Sequence, residues 1–180
     1  MEGGTMRISL SEIMNLSSEP QKQVIPLELD RFERMQVSYP VTEKEDAVLL
    51  LSNLGNRKVK VGLRGRVVLQ VPCDRCLEPQ RVELPFSAEE EIEFNESAEK
   101  RMEDFDKLSY IDGYDLDVDR MVYEEILLGF PMKVLCQDDC KGICKVCGAN
   151  LNQGECGCDR TEPDPRMSVI RDIFNNVKEV

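Results

Sequence analysis

The strongest pattern along the chain is a two-residue alternation. Val59, Val61, Leu63, Gly65, Val67, Leu69 and Val71 fill the odd positions, while Lys58, Lys60, Gly62, Arg64 and Arg66 begin the even series. A strand points successive side chains to opposite faces, so this run predicts one long, half-buried strand. The pattern then returns in opposite phase. Val82, Leu84, Phe86, Ala88, Ile92 and Phe94 are apolar, and Arg81, Glu83, Ser87, Glu89, Glu91 and Glu93 are polar. Joined by Cys73–Gln80 (CDRCLEPQ), the two runs predict an antiparallel hairpin.

Weaker signals flank it. Residues 7–17 (RISLSEIMNLS) predict a short amphipathic turn or helix. Gln23–Leu29 reads as a strand, which Pro26 confines to a sheet edge. Val37–Val41 and Ala47–Leu54 are two further strand candidates. Asn95–Gly113 is acidic and reads as a linker or a poorly packed loop. In YDLDVDRMVYEEILLGFP, Asp115 or Asp117 can cap a helix. Val118, Met121, Val122 and Ile126 share one face, and Gly129 and Pro131 end it. At the C-terminus, Asp164 as cap, Pro165 at the first turn and a stripe of Ile170, Ile173, Phe174 and Val177 predict a last helix.

The chain has 180 residues, enough to bury a core without metal or disulfides. It contains no His, which removes Ser-His-Asp and Cys-His catalysis, His-ligated catalytic zinc and the usual general base near neutral pH. The opening MEGGTMRISL has no continuous apolar region, and the aliphatic run Ala47–Leu51 is far short of the roughly 20 residues that span a bilayer. The expected location is therefore the cytoplasm, where thiols stay reduced.

Eight cysteines change the picture. They fall into four pairs: Cys73-x-x-Cys76, Cys136-x-x-x-Cys140, Cys144-x-x-Cys147-Gly148 and Cys156-x-Cys158. Two such pairs can hold one tetrahedral zinc in a closed, structural four-thiolate site. The expected partition is Cys73, Cys76, Cys136 and Cys140 in one site and Cys144, Cys147, Cys156 and Cys158 in a second. Cys73 and Cys76 taken alone also fit a redox dithiol or a bare turn. The architecture expected is α+β: an antiparallel β domain over 6–112 with a Cys-x-x-Cys hairpin tip, then a helical, zinc-binding module over 113–180.

Charge is unevenly spread. The net value is −12, yet residues 57–81 hold Arg57, Lys58, Lys60, Arg64, Arg66, Arg75 and Arg81 against Asp74 and Glu78, a local +5. Residues 83–106 carry ten acids against Lys100 and Arg101, a local −8. One reading is a basic strand that contacts phosphate, with Arg57, Lys58, Arg64, Arg66 and Arg75 as RNA- or partner-binding residues. The other is cross-strand pairing, with Lys60 and Arg64 opposite Glu93 and Glu89. So acidic a chain also suits holding a basic protein. Asp112, Asp115, Asp117 and Asp119 could be imagined as magnesium ligands of a nuclease, but capping and a solvated acidic loop explain them more simply.

The ordered series CDRCLEP, YDLDVDRMVYEEILLGFPMKVLC, CKGICKVCGANLN and DPRMSVIRDIF resembles the YceD family, the large ribosomal RNA subunit accumulation proteins. Cys73, Arg75, Cys76, Glu124, Glu125, Pro131, Cys136, Cys140, Cys144, Cys147, Cys156, Cys158, Asp164, Pro165 and Arg166 fall on its motif positions. The resemblance implies a bacterial or organellar, non-enzymatic factor needed for normal levels of large-subunit ribosomal RNA. Its partners would be that RNA or its precursor and a large-subunit ribosomal protein. The competing expectation is a switch or chaperone in which oxidation of zinc thiolates ejects the metal.

Overall fold

Apolar residues at every second position need a surface on which to bury them, and one curled antiparallel sheet meets most of that need. The computed structural model describes residues 6–15, 19–94 and 108–159. Its elements are β1 (Arg7–Ser9), α1 (Leu10–Met14), β2 (Gln21–Ile25), β3 (Arg31–Arg34), β4 (Val37–Lys44), β5 (Ala47–Gly55), β6 (Lys58–Pro72), β7 (Pro79–Glu93), β8 (Ile111–Asp112), β9 (Asp115–Asp117) and α2 (Val118–Gly129).

The chain divides into two compact units, residues 1–71 with 79–134 and residues 72–78 with 135–180. The expected boundary fell at 112/113. The partition differs because α2 buries its apolar face in the same core as the sheet, while the hairpin tip gathers with the later cysteines.

In the first unit β6 is the central strand. It pairs with β5 over Lys58–Arg64 and with β4 over Val67–Leu69, and β7 pairs with it as well. The alternation is realised as expected: Val59, Val61, Leu63, Val67, Leu69 and Val71 are buried, and so are Leu84, Phe86, Ala88 and Ile92 of β7. Gly65 breaks the apolar series for a steric reason. The Phe86 ring lies where a Cβ at position 65 would stand.

β2 pairs with β5 at the end of the sheet and stops before Pro26, which has no N–H to donate. β3 was not expected. It is only four residues long, and its hairpin to β4 turns through Met35 and Gln36 at φ 47° and 66°. Those residues carry no glycine or asparagine signal for a left-handed turn. A second small sheet, in the order β1-β9-β8, replaces the expected turn or helix at 7–9 and the last part of the expected linker. The rest of that linker, 95–107, and the expected helix from Asp164 lie outside the described residues.

α2 forms where its pattern predicts. The Asp117 carboxylate accepts the Arg120 N–H at 3.0 Å, so one of the two candidate caps is the cap. Val118, Met121, Val122 and Ile126 are buried. At its C-terminal end Phe130 stacks at 5.9 Å on Phe32 and lies 5.2 Å from Tyr39, while Tyr123 lies 5.1 Å from Phe32. The Tyr123 hydroxyl donates to the Glu33 carbonyl at 2.8 Å, tying helix to β3.

Two substitutions test this packing by denaturant unfolding. Gly65→Val forces the Phe86 ring aside and is expected to cost about 1–3 kcal/mol. Asp117→Ala removes the cap and is expected to cost about 1 kcal/mol.

Candidate metal centre and the basic strand

The second unit has little apolar material with which to build an interior. Its buried cluster consists of Cys73, Cys76 and Cys140, with Leu135 and Cys136 packed against them. The thiols themselves are the core. All eight cysteines are free. They stand as two groups, Cys73, Cys76, Cys136 and Cys140, and Cys144, Cys147, Cys156 and Cys158, with the sulfurs of each group within 4.8 Å of one another. This is the grouping expected from spacing. Cys73 and Cys140 sulfurs are 3.8 Å apart, and those of Cys76 and Cys136 are 3.5 Å apart. A tetrahedron with metal–sulfur bonds of about 2.3 Å has sulfur–sulfur edges of about 3.8 Å. Each group could hold one metal ion.

Two loops present these thiols in the same way. The Cys73 N–H donates to the Glu78 carbonyl, and its carbonyl accepts from Leu77 N–H, at 2.8 and 2.9 Å. Cys144 repeats this with Ala149 and Gly148, both at 2.8 Å. The residue after each Cys-x-x-Cys is left-handed: Gly148 at φ 75°, and Leu77 at φ 64°. In the second loop glycine meets that requirement without strain, whereas in the first a leucine is forced into it. Gly142, at φ 78°, serves a different need. A Cβ there would stand 3.0 Å from the Arg75 carbonyl oxygen, which already accepts the Ile143 N–H at 3.0 Å.

Backbone and amide donors sort the thiols. Burial raises the Cys73 thiol, but N–H groups of Cys76, Arg75 and Cys136 outweigh it and lower the thiol to about 6. The Cys147 and Val146 N–H groups lower Cys144 to about 6. Burial and the neighbouring sulfurs push Cys136 up to about 12, and Cys147 and Cys156 push Cys158 up to about 12. Around Cys140, burial acts upward but the Asn152 side-chain N–H, 3.3 Å from the sulfur, helps bring it down. Asn152 also accepts the Lys141 N–H at 2.8 Å, and Asn150 donates to the Glu78 carboxylate at 3.1 Å. Spacing arguments missed Glu78, Asn150 and Asn152. Their signal was adjacency, since each follows a Cys-x-x-Cys within a few residues.

The cations assigned to RNA or partner contact are engaged within the chain. Lys58 pairs with Glu93 at 2.8 Å, and Arg64 with Glu89 at 3.6 Å. Lys60 pairs with Glu89 at 2.8 Å rather than with Glu93. Arg66 reaches Glu45 at 2.8 Å and Glu83 at 3.4 Å, and Arg81 joins Glu43 at 2.7 Å and also Glu83. Arg57 donates to the Tyr114 hydroxyl at 2.6 Å. Arg75 donates to the Cys140 carbonyl at 2.8 Å, so it braces the loop that carries the Cys140 sulfur. The aspartates are occupied too. Asp112 pairs with Arg7 at 3.4 Å, and Asp119 accepts the Met6 N–H at 2.8 Å.

Loop geometry predicts a ranking. Gly148→Ala meets open space and is expected to cost about 1 kcal/mol for its left-handed backbone. Gly142→Ala adds a clash with the Arg75 carbonyl and is expected to cost more, as read by thermal unfolding of the metal-loaded protein.

The chain is similar to known proteins over part of its length. Over 65 residues the chain is 29% identical to the large ribosomal RNA subunit accumulation protein YCED homolog 1, chloroplastic, of Arabidopsis thaliana, covering 36% of this chain and 20% of that one. Over 102 residues it is 28% identical to uncharacterized proteins of Mycobacterium tuberculosis and Mycobacterium bovis, covering 57% of this chain and 49% of each of those. The chain thus spans half or less of the length of these relatives. No solved structure matches significantly. Residues 61–174 match the family described as large ribosomal RNA subunit accumulation protein YceD, and both sulfur groups fall within that stretch, so the chain belongs to the YceD family.

Proposed function

We propose that this protein is a non-enzymatic factor supporting accumulation of large-subunit ribosomal RNA. Its cysteine unit is held by two zinc ions, and it binds precursor RNA, a basic large-subunit ribosomal protein, or both, in the cytoplasm. The observation that carries the reading is the pair of four-sulfur groups inside the stretch that matches the family. Thiolate sulfur in a tetrahedral, closed set favours zinc in a structural role, because no coordination position is left open for substrate. The net charge of −12 and the carboxylate partners of Lys58, Lys60, Arg64 and Arg66 favour local RNA contact over a broad phosphate-binding face.

Exposure favours one element of the redox reading. Cys147 is exposed and Cys156 and Cys158 are half-buried, whereas Cys73, Cys76 and Cys140 are buried. The Cys144 group is therefore the one that oxidant or chelator reaches first.

Zinc titration of metal-free protein is expected to show two equivalents, with a chelator or mild peroxide removing the more exposed ion first. One equivalent would refute the two-site arrangement. Cys136 and Cys158 are protonated at neutral pH until metal displaces the proton. Binding should therefore release protons, tighten as pH rises, and weaken toward pH 6, where Cys73 and Cys144 also take up protons. Calorimetry in buffers of different ionisation enthalpy reads this directly. For function, a tagged pull-down with and without RNase should recover large-subunit precursor RNA with early ribosomal proteins. Proteins that persist after RNase indicate direct protein holding, and proteins that vanish indicate RNA contact. Recovery of neither would refute the proposal.

A further inference from the structure

The turn between β5 and β6 is built at a conformational cost. Gly55, Asn56 and Arg57 are all left-handed, at φ 77°, 49° and 57°. Arginine at the last of these positions is disfavoured where glycine would be free of strain. Its side chain is also placed unlike the other cations of the strand. Lys58, Lys60, Arg64, Arg66 and Arg81 all meet carboxylates. Among the described residues Arg57 meets none. Its guanidinium donates to the neutral Tyr114 hydroxyl at 2.6 Å and sits 6.0 Å from that ring's centroid. Among those residues no carboxylate cancels its charge, the bond to Tyr114 fixes its direction, and a guanidinium has five N–H donors, more than that bond uses.

Beside it lies a cavity of about 420 Å³, lined in part by Ser11, Asn15, Asn53, Asn56, Arg57 and Tyr114. That volume is within the range of small-molecule sites. Among the described residues no carboxylate lines it. Its walls are tied together. The Asn53 amide donates to the Met14 carbonyl at 2.9 Å and accepts the Gly55 N–H at 2.9 Å. The Asn15 amide covers the Ser11 carbonyl at 3.0 Å. Carbonyls at the end of α1 that would repel an anion are thus already occupied. The Tyr114 ring stacks on Phe94, with centroids 5.0 Å apart.

We propose that this cavity binds a phosphate-bearing nucleotide unit, with the phosphate on the Arg57 guanidinium and a polar base or sugar edge on the Asn15 amide. A bidentate guanidinium suits phosphate, and side-chain amides suit base or sugar edges. The source is one nucleotide of an RNA strand or a free mononucleotide. The RNA form deepens the function proposed above and rests on it.

The test uses the zinc-loaded full chain with a fluorescein-labelled single-stranded RNA of mixed sequence, read by anisotropy across a salt series. Uridine and guanosine monophosphates, with inorganic phosphate beside them, are read by calorimetry. The informative variant is Arg57→Gly, because glycine suits the left-handed turn, so its melting temperature should hold or rise. Arg64→Gln, which removes a cation already paired with Glu89, is the control for bulk charge. The expected result is about a tenfold loss of RNA affinity in Arg57→Gly, a salt slope shallower by about one, and a smaller change in Arg64→Gln. RNA bound equally by wild type and Arg57→Gly would overturn the site while leaving the RNA-binding role intact. Nucleotide binding that needs Arg57 without any RNA binding would support the site, assign it to free nucleotide, and refute direct RNA contact. Binding of neither probe would overturn the site, leaving the pull-down to decide the broader role.

Discussion

The cysteine unit depends on bringing sulfur together where apolar side chains are scarce. Four thiols within 4.8 Å cannot all ionise unaided, because like charges at that distance repel strongly. The fold has prepared for the charge by aiming N–H groups of Cys76, Arg75 and Cys136 at Cys73, and those of Cys147 and Val146 at Cys144. A divalent cation bound there would complete what these dipoles begin. The first group also joins residues 73 and 76 to 136 and 140, closing a long stretch of chain. Ordering that stretch by contacts alone would meet the full loop-closure entropy.

The sheet unit obeys a different constraint. A long hairpin with one buried face leaves its other face to carry charge, and β6 and β7 place opposite signs across from each other. Exposed pairs of this kind contribute little each to stability. Their larger effect is to cancel the local +5 of the strand region, so basic residues in sequence do not become a basic surface. Arg57 and Arg75 differ from the others because neutral oxygen atoms hold them. One meets a phenol and the other a backbone carbonyl.

Left-handed backbone recurs at the points where the fold must turn sharply. Met35 and Gln36, Asn56 and Arg57, and Leu77 adopt it without glycine. Each such residue carries strain that its surroundings must impose. At Leu77 the surroundings are the hydrogen bonds of the sulfur loop, and at Arg57 the bond to Tyr114.

Much of this was legible in the chain. Period-two alternation located β6, β7 and their buried faces, because side-chain direction in a strand follows position alone. Helical spacing with an aspartate cap located α2. Cysteine pairing located both sulfur groups, since a short Cys-x-x-Cys leaves few ways to arrange two thiols. β3 was hidden, because its turn uses Met35 and Gln36 rather than residues with a left-handed preference. The exact partners of Lys60 and Lys58 were hidden as well, because long side chains reach diagonally and their choice depends on sheet twist. The sequence by itself determined which residues seek burial and which could ligate. Only the tertiary structure decided that α2 joins the sheet's core, that the hairpin tip joins the later cysteines, and that Arg57 meets the Tyr114 hydroxyl. Those outcomes rest on contacts between segments many residues apart, and no local pattern encodes such contacts.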